Sequence, residues 1–332
     1  MRYFLFLIFL IALKGKSQSA GSVNSGTSLL NAVSIQVPGS NPNTAIEQAI
    51  NWKIQVKQNP WNENNWLNYY LWTERKSGIE AKDKEELLSQ IIDEGKQYIA
   101  EKPQYQLLLF LKSGKKDTVS ISKAIQMAGY ELWLMPFAIQ HFIIVNNKML
   151  LQEYCLNLEH KQPLKSGLYQ YYFNTLMSAD SNAIIYARGL NDIVPMAILQ
   201  QVYDIRKDIS LKYYRGTIKN GENTYLGLSL GKKIITQYPG AACTGLLVKI
   251  TDEPTLAELK KHVEDFKLSE FQYINTDKDL AELYKNYLPA FIMLYKYYRP
   301  INMKKAGEIR NNILIIASAT GIQKEVSQLL DK

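Results

Sequence analysis

One stretch of this chain constrains its fold more than any other: residues 181–214 show the pattern of strand, helix and strand. Two apolar runs, at 183–187 and from Ile209 onward, flank a breaker loop and a helical pattern that Pro195 opens. Strand, helix and strand in this order predict a βαβ unit, in which the two strands are parallel and the crossover is right-handed. The chain is therefore expected to contain an α/β unit.

The remaining pattern predicts a mixed α plus α/β protein. Apolar residues at three- and four-residue spacing fill residues 44–160, which we interpret as a repeat-like helical domain. The domain that holds a small parallel α/β sheet then covers 161–275, with further candidate strands at 224–229 and 246–250. Residues 276–332 are helical again and predict a third part that ends in a helical hairpin.

The N-terminal helices carry a degenerate repeat signature. An alanine-rich helix closes at the Asn-Pro pair 59–60, and Trp66 and Tyr70 follow in the next helix. This junction, within residues 44–75, resembles that of tetratricopeptide repeats, although Tyr70 stands where the repeat prefers Gly and Thr73 where it prefers Tyr. About one and a half repeats are visible, which predicts helical hairpins without a long array.

The N-terminus has the composition of a secretory signal peptide. A basic start is followed by an apolar core at 3–13 and then by small polar residues. The core of about 11 residues is shorter than the ~20 that a spanning helix needs; an uncleaved anchor is the alternative. We expect cleavage near Ser19 or Ala20, so that residues 1–19 are removed. The mature protein is then exported and has no transmembrane span.

Residues 20–43 are rich in Ser, Gly and Asn and predict a flexible arm. The arm contains one apolar island, whose candidate partner-binding residues are Leu29, Leu30, Val33 and Ile35. Such an island can add a strand to the sheet edge of a partner protein. The alternative is that the island packs on the protein's own surface.

Composition argues against two classes of function. The formal net charge of +8 is mild for 332 residues, and the basic residues are interspersed with acidic ones. The clustered basic stripes typical of nucleic-acid binding are therefore missing. Three histidines and two cysteines show no zinc-ligand spacing, so we expect no metal and no cofactor. Cys155 and Cys243 could pair in an oxidising compartment or remain as two buried thiols.

Asn191 and Asp192 are the sharpest candidates for a ligand site. An amide and a carboxylate at the carboxyl end of a parallel strand, just before a helix, can hold a sugar hydroxyl or a cation. Arg206, in the charged turn after that helix, would complete a glycan site. The alternative is structural: Asp192 caps the helix and Asn191 takes a left-handed turn conformation.

The chain contains no known catalytic motif, such as a phosphate-binding loop, a nucleophile elbow or a zinc-protease signature. Cys243 lies in a loop rich in Gly and Ala, and no nearby base is indicated, so packing explains it better than nucleophilic catalysis. His262 and Glu264 accompany Lys260 and Lys261 on an amphipathic helix, which predicts a solvated face. We therefore expect no catalytic residues and no enzyme activity.

The segment SNAIIYARGLNDIVPMAILQQVYDIRKDI resembles a pattern in the periplasmic C-terminal region of large Bacteroidota multi-pass membrane proteins, which are related to protein O-mannosyltransferases. The matching residues are Asn182, Ala183, Ile184, Gly189, Asn191, Asp192, Pro195, Gln200, Val202, Arg206 and Asp208. Further matches keep the same order, so the resemblance covers about residues 166–331. Ala187-Arg188 replaces the usual Thr-Asn, and the chain shows no counterpart of the multi-pass part, where sugar transfer would take place. The resemblance implies an envelope location and a fold, but no active site.

These observations together predict a non-catalytic scaffold or accessory subunit of a cell-envelope complex that acts through protein–protein contacts. Outer-membrane secretion, gliding and nutrient-uptake complexes all fit this interpretation. We expect the protein in the periplasm, at the inner face of the outer membrane if it joins such a complex. The alternative is a glycan-binding or glycosyltransferase-associated accessory protein whose site is the Asn191-Asp192 loop.

Overall fold

The computed structural model describes residues 42–331, apart from 77, 219–220, 222, 239 and 251–255. These residues contain fifteen α-helices and one five-stranded sheet, which confirms the predicted combination of helices with a small α/β unit. They divide into two compact units, with the boundary between Pro163 and Leu164. Within the described residues, no helix combines the length and the apolar character that crossing a membrane requires.

The N-terminal unit is helical throughout its described residues. Its helices are α1 (Pro42–Gln58), α2 (Glu63–Arg75), α3 (Ala81–Ile99), α4 (Pro103–Lys112), α5 (Thr118–Ala128), α6 (Met135–Val145) and α7 (Lys148–Lys161). Three of them begin where a side-chain oxygen accepts a hydrogen bond from the first helical turn, and these caps are Asn62, Asp117 and Asn147. Short turns join helices that pack on their neighbours along the chain, so the unit is a series of helical hairpins.

Trp66 of α2 anchors the first hairpins to one another. Its indole Nε1 donates to the carbonyl oxygen of Pro60 at 2.7 Å, which fixes the turn between α1 and α2. Its ring stacks on Tyr98 of α3 with 6.1 Å between ring centroids. A Cβ atom at Gly95 would lie 3.3 Å from the Trp66 ring, so the absence of a side chain there lets α3 approach α2 closely.

The second unit begins with α8 (Ser166–Met177) and contains the sheet. The next elements are β1 (Ile184–Ala187), α9 (Leu190–Gln201), β2 (Ser210–Tyr213), β3 (Thr224–Gly227), α10 (Lys232–Ile235), β4 (Ala242–Cys243), β5 (Leu247–Lys249), α11 (Leu256–Glu264), α12 (Lys278–Tyr284), α13 (Leu288–Tyr298), α14 (Met303–Thr320) and α15 (Gln323–Asp331). Short 3₁₀ segments lie at Leu228–Leu230, Ser269–Thr276 and Lys285–Tyr287.

The strands are ordered β2-β1-β3-β5-β4 in the sheet. β1 is parallel to both β2 and β3, with Ile185 opposite Leu211 on one side and Tyr225 on the other. The predicted βαβ unit is therefore confirmed as β1, α9 and β2. The strand predicted at 246–250 is present as β5, but it runs antiparallel to β3, so the sheet is mixed where a parallel one was expected.

The C-terminal helices pack in the same unit as the sheet. The prediction of a separate domain at residues 276–332 is therefore corrected. Gln170 Nε2 of α8 donates to the Tyr284 hydroxyl at 3.1 Å, and Asn174 Nδ2 donates to the Tyr287 hydroxyl at 2.8 Å. These partners are 114 and 113 residues apart along the chain. Because local patterns carry no information about such distant pairs, the sequence suggested a boundary that does not exist.

Candidate functional site

The candidate site lies at the carboxyl edge of the parallel strands, where β1 and β3 end. β1 lies between β2 and β3, and the chain leaves β1 toward β2 through α9. Open α/β sheets bind ligands in the crevice beside such a switch in strand order. Arg188 follows β1 and Ser229 follows β3, and the two segments meet because the Arg188 N–H donates to Ser229 Oγ at 3.2 Å.

Gly189 determines how α9 begins. Its φ of +106° belongs to a region that side chains disfavour, and the helix starts at the next residue, Leu190. Asn191 and Asp192 consequently lie in the first helical turn, and no side chain caps the helix. Both predicted structural roles, a cap for Asp192 and a left-handed turn for Asn191, are therefore wrong. Pro195 also lies inside the helix instead of opening it, and because it has no N–H it cannot donate to the Asn191 carbonyl.

Asp192 receives hydrogen bonds from two other elements. The Tyr172 hydroxyl of α8 donates to Asp192 Oδ1 at 3.0 Å, and the Ser229 hydroxyl also donates to this carboxyl group. Burial raises the pKa of Asp192 above its usual range, and the two hydrogen bonds offset only part of that effect. Part of the residue is nevertheless accessible to solvent. The carboxyl group is thus held in place by two other elements at the carboxyl edge of the sheet.

The groups around Asp192 suit recognition of a hydroxylated molecule. Asn191 is half-buried, Arg188 is exposed, and the hydroxyls of Tyr172 and Ser229 lie within hydrogen-bond distance of the carboxyl group or the backbone. Together they offer donors and acceptors on a fixed frame. A metal site is not indicated, because the described part of the chain holds no group of three His, Cys, Asp or Glu residues in suitable positions.

Arg206 does not join this site, although the sequence placed it there with Asn191 and Asp192. It precedes β2, and β2 is parallel to β1, so Arg206 lies at the opposite, amino edge of the sheet. Its guanidinium donates at 2.8 to 3.0 Å to the backbone carbonyls of Leu176, Ala179 and Asp180 and to both carboxylate oxygens of Asp208. Arg206 therefore ties the end of α8 to the start of β2, which is a structural role.

A second polar cluster, which the sequence did not reveal, lies at the amino edge. This amino-edge cluster consists of Asp180, Tyr225, Lys249, Glu258 and His262. Lys249 Nζ is 2.9 Å from Asp180 Oδ2 and 2.8 Å from Glu258 Oε1. The Tyr225 hydroxyl donates to Asp180 Oδ2 at 2.7 Å. Only Glu258 and His262 share an element, α11, so no spacing along the sequence could have indicated the whole set.

His262 is buried, so the solvated face predicted for its helix is wrong at this position. The residue is 3% exposed. Its Nδ1 lies 3.2 Å from the Thr244 carbonyl oxygen, and its Nε2 lies 3.2 Å from Asp180 Oδ1. The neighbouring charged residues Lys260, Lys261 and Glu264 made this position look exposed. The hydrogen-bond partners that bury His262, Thr244 and Asp180, come from loops elsewhere in the chain.

The amino-edge cluster is a closed network of charges. Burial alone would raise the pKa of Asp180, but hydrogen bonds from Lys249, Tyr225 and His262 hold the pKa well below its usual range. Burial likewise opposes the charge of Lys249, but hydrogen bonds to Glu258 and Asp180 raise its pKa above the usual value. Because Lys249 bridges Asp180 and Glu258, the arrangement indicates structural stabilisation of the contact between α11 and the sheet.

Cys155 and Cys243 are both free thiols, so the disulfide alternative is not realised. Cys155 is buried in α7, whereas Cys243 lies on β4 of the other unit. Burial raises the pKa of Cys243 to about 11, and its Sγ donates to the Gly245 carbonyl at 3.4 Å. The thiol is therefore protonated at neutral pH and is a weak nucleophile.

Several predictions stay as predictions. The signal peptide predicted for residues 1–19 lies outside the described residues. The candidate partner-binding residues of the arm, Leu29, Leu30, Val33 and Ile35, lie outside the described residues. No family model, curated protein or solved structure matches this chain significantly. The resemblance to the periplasmic region of Bacteroidota membrane proteins thus rests on the sequence pattern alone, and function has to be argued from the geometry.

Proposed function

We propose that this protein is a non-catalytic scaffold or accessory subunit of a cell-envelope complex and that it acts through protein–protein contacts. The observation that carries the proposal is an apolar surface on α1. Ile46, Ile50 and Ile54 are 39%, 51% and 45% exposed. They recur every four residues and therefore share one face of the helix. Contiguous apolar surface that stays in water marks interaction sites, because covering it releases water.

The proposed location is the periplasm, with an outer-membrane secretion, gliding or nutrient-uptake complex as the assembly. The signal-peptide pattern of residues 1–19 supports export. The resemblance of residues 166–331 to a periplasmic region supports the same compartment. Repeated helical hairpins support partner binding, since they present extended surfaces without requiring an active site.

Affinity purification from the native envelope tests this proposal. The full protein with a C-terminal tag is cross-linked mildly in cells, and the co-purifying proteins are identified and quantified by mass spectrometry. An untagged strain treated identically defines the background. We expect a stoichiometric set of periplasmic or outer-membrane proteins that is absent from that background. Recovery of the protein alone, or its recovery from the cytoplasmic fraction, would contradict the proposal.

A second candidate function is glycan binding at the carboxyl edge of the sheet, either directly or in support of a glycosyltransferase. The observation that favours it is Asp192, a half-buried residue whose carboxyl group is fixed by hydrogen bonds from Tyr172 and Ser229. Carboxylates and amides are the usual partners of sugar hydroxyls. Asn191 and Asp192 belong to this proposed site, whereas Arg206 is excluded from it because it lies at the opposite edge.

Binding to a glycan array distinguishes this second function from the first. If the carboxyl edge binds glycans, the wild-type protein retains specific sugars and Asp192→Asn loses them without unfolding. Asp265→Asn is the matched control, because it alters an exposed carboxylate just after α11 that takes no part in this site. Equal binding by the wild type and the Asp192 variant, or no binding by either, rules the glycan site out.

A further inference from the structure

The first helix, α1, packs one face against α2 and leaves a row of isoleucines on the other. Ala45 and Ala49 are buried against Trp72 of α2, with Trp52 beside them. Three isoleucines on the other side of the helix stay about half exposed to water. Isoleucine gains more than alanine from leaving water, so three isoleucines that stay about half exposed forgo free energy that a covering partner would recover. The outer face of α1, defined by Ile46, Ile50 and Ile54, is therefore built to be covered.

The charges beside this face have one dominant sign. Lys53 follows Ile50 by three residues and Lys57 follows Ile54 by three, so both lie alongside the isoleucines. Both lysines are exposed. The only acidic residue on α1 is Glu47, which precedes Ile50 by three residues and also borders the face, so the two lysines outnumber it. Burial, and after it the positive charge of Lys53, lowers the pKa of Lys76, which follows α2.

We propose that the outer face of α1 is the docking site for an acidic amphipathic helix of a partner protein. The inference rests on the proposed scaffold function and names the class of partner. A helix fits because apolar side chains at four-residue spacing form a narrow ridge, which packs into the grooves of another helix. Acidic residues beside the partner's apolar stripe would meet Lys53 and Lys57, whereas basic ones would be repelled.

The end position of α1 supports the same conclusion. In a series of helical hairpins each helix is covered by its neighbours, and a terminal helix needs a polar outer face to remain soluble. Among the described residues α1 packs chiefly on α2, and its outer face is apolar. A further helix in this position would extend the series by one layer.

The test uses the full protein and two labelled synthetic peptides, with binding followed by fluorescence anisotropy. Both peptides carry the same leucine stripe at four-residue spacing and differ only in the residues that flank it, Glu in one and Lys in the other. The variants are Ile50→Asp, which disrupts the apolar face, and Lys53→Glu/Lys57→Glu, which reverses its charge. Lys96→Glu/Lys123→Glu is the matched control, because both lysines are exposed elsewhere in the same unit.

We expect the wild type to bind the Glu peptide at least about tenfold more tightly than the Lys peptide. Ile50→Asp should lose binding, the charge-reversed variant should prefer the Lys peptide, and the control pair should behave as the wild type. Equal affinity for the two peptides, or binding that Ile50→Asp does not weaken, overturns the proposal. Thermal unfolding of each variant confirms that it is folded.

Other occupants of this face give different results, and each would also overturn the proposal. Self-association in sedimentation that Ile50→Asp abolishes would identify a second copy of the chain. Binding to phosphatidylglycerol vesicles that Ile50→Asp abolishes would identify a membrane surface. Peptide binding that appears only after residues 20–41 are removed would identify the chain's own segment. If the peptides fail while the cross-linked partners are still recovered from Ile50→Asp cells, the scaffold function stands and its partners use another surface.

Discussion

The imidazole of His262 lies between two hydrogen-bond acceptors, with Nε2 3.2 Å from Asp180 Oδ1 and Nδ1 3.2 Å from the Thr244 carbonyl oxygen. Asp180 in turn accepts from Lys249 and Tyr225. One carboxylate thus holds α11, β3 and β5 together.

Asp180 should make the fold sensitive to acid. Its pKa is lower in the folded state, so the ionised carboxylate stabilises the fold above the unfolded-state pKa of about 3.9. This contribution is lost as the pH falls through the folded-state pKa. We expect the free energy of unfolding, measured in urea from neutral pH downward, to decrease below about pH 4.

The variant Asp180→Asn tests this origin of acid sensitivity. It should lose about 1–3 kcal/mol at pH 7, because Lys249 and His262 lose a charged partner, and it should show a flatter pH dependence below about pH 4. Asp265→Asn removes an exposed carboxyl group just after α11 and serves as the control. A pH profile of Asp180→Asn parallel to that of the wild type would show that the acid sensitivity arises elsewhere.

Asp192 should have the opposite effect on stability. Its pKa is raised on folding, so its ionised form is less favourable in the folded state than in the unfolded one. The protonated Asp192 carboxyl group therefore stabilises the fold at low pH. This contribution is lost as the pH rises through the folded-state pKa of Asp192. We expect Asp192→Asn to be at least as stable as the wild type at pH 7 in urea unfolding, and Asp192→Ala to lose about 1–3 kcal/mol because Tyr172 and Ser229 lose their acceptor. A large loss in the Asn variant would show that the charge itself is stabilising.

Arg206 should be a strong determinant of stability and have no influence on ligand binding at the carboxyl edge. Lysine cannot reproduce the five hydrogen bonds of the guanidinium fork, so Arg206→Lys leaves several backbone carbonyls without donors. We expect the free energy of unfolding to fall by about 2–3 kcal/mol. The neighbouring Lys207→Ala, on an exposed side chain, should change it by less than about 0.5 kcal/mol. Similar losses of unfolding free energy in the two variants would contradict the structural role of the Arg206 hydrogen bonds.

Gly167 should be required for the packing of α8 on α12. A Cβ atom at this position would overlap Leu280 Cδ2, so Gly167→Ala should destabilise the protein by about 1–3 kcal/mol in thermal or urea unfolding. Adding Leu280→Ala should restore part of the loss, as expected for two residues in contact.

Gly307 in α14 is the control. It has open space around it, and Gly307→Ala should stabilise the protein by about 0.5–1 kcal/mol. Equal effects at the two glycines would show that the close approach is absent.

The sequence predicted those parts of the fold that depend on neighbours along the chain. The βαβ unit is an example, because alternation, breaker residues and helical spacing all lie within residues 181–214. The sequence pattern nevertheless placed the start of α9 too late, at Pro195 instead of Leu190. Pro195 is typical of a helix's first turn, yet the positive φ of Gly189 let the helix begin earlier.

Polar side chains that act across the fold could not be assigned from the sequence. Arg206 and Asp192 are close along the chain. Asp192 comes after β1 and Arg206 comes before β2, and because these strands are parallel the two residues lie at opposite edges of the sheet. His262 shows the same limit, since its acceptors at Asp180 and Thr244 are 82 and 18 residues away. Only the register of the strands brings these groups together.

The pairing of α8 with the C-terminal helices also determines the order in which this protein can be made. Gln170 and Asn174 leave the ribosome more than a hundred residues before their partners, Tyr284 and Tyr287. The sheet unit therefore cannot complete its core during synthesis until almost the whole chain has emerged. A premature stop before Tyr284 would deprive α8 of both partners, and so would expose the sheet as well as the missing end to proteolysis.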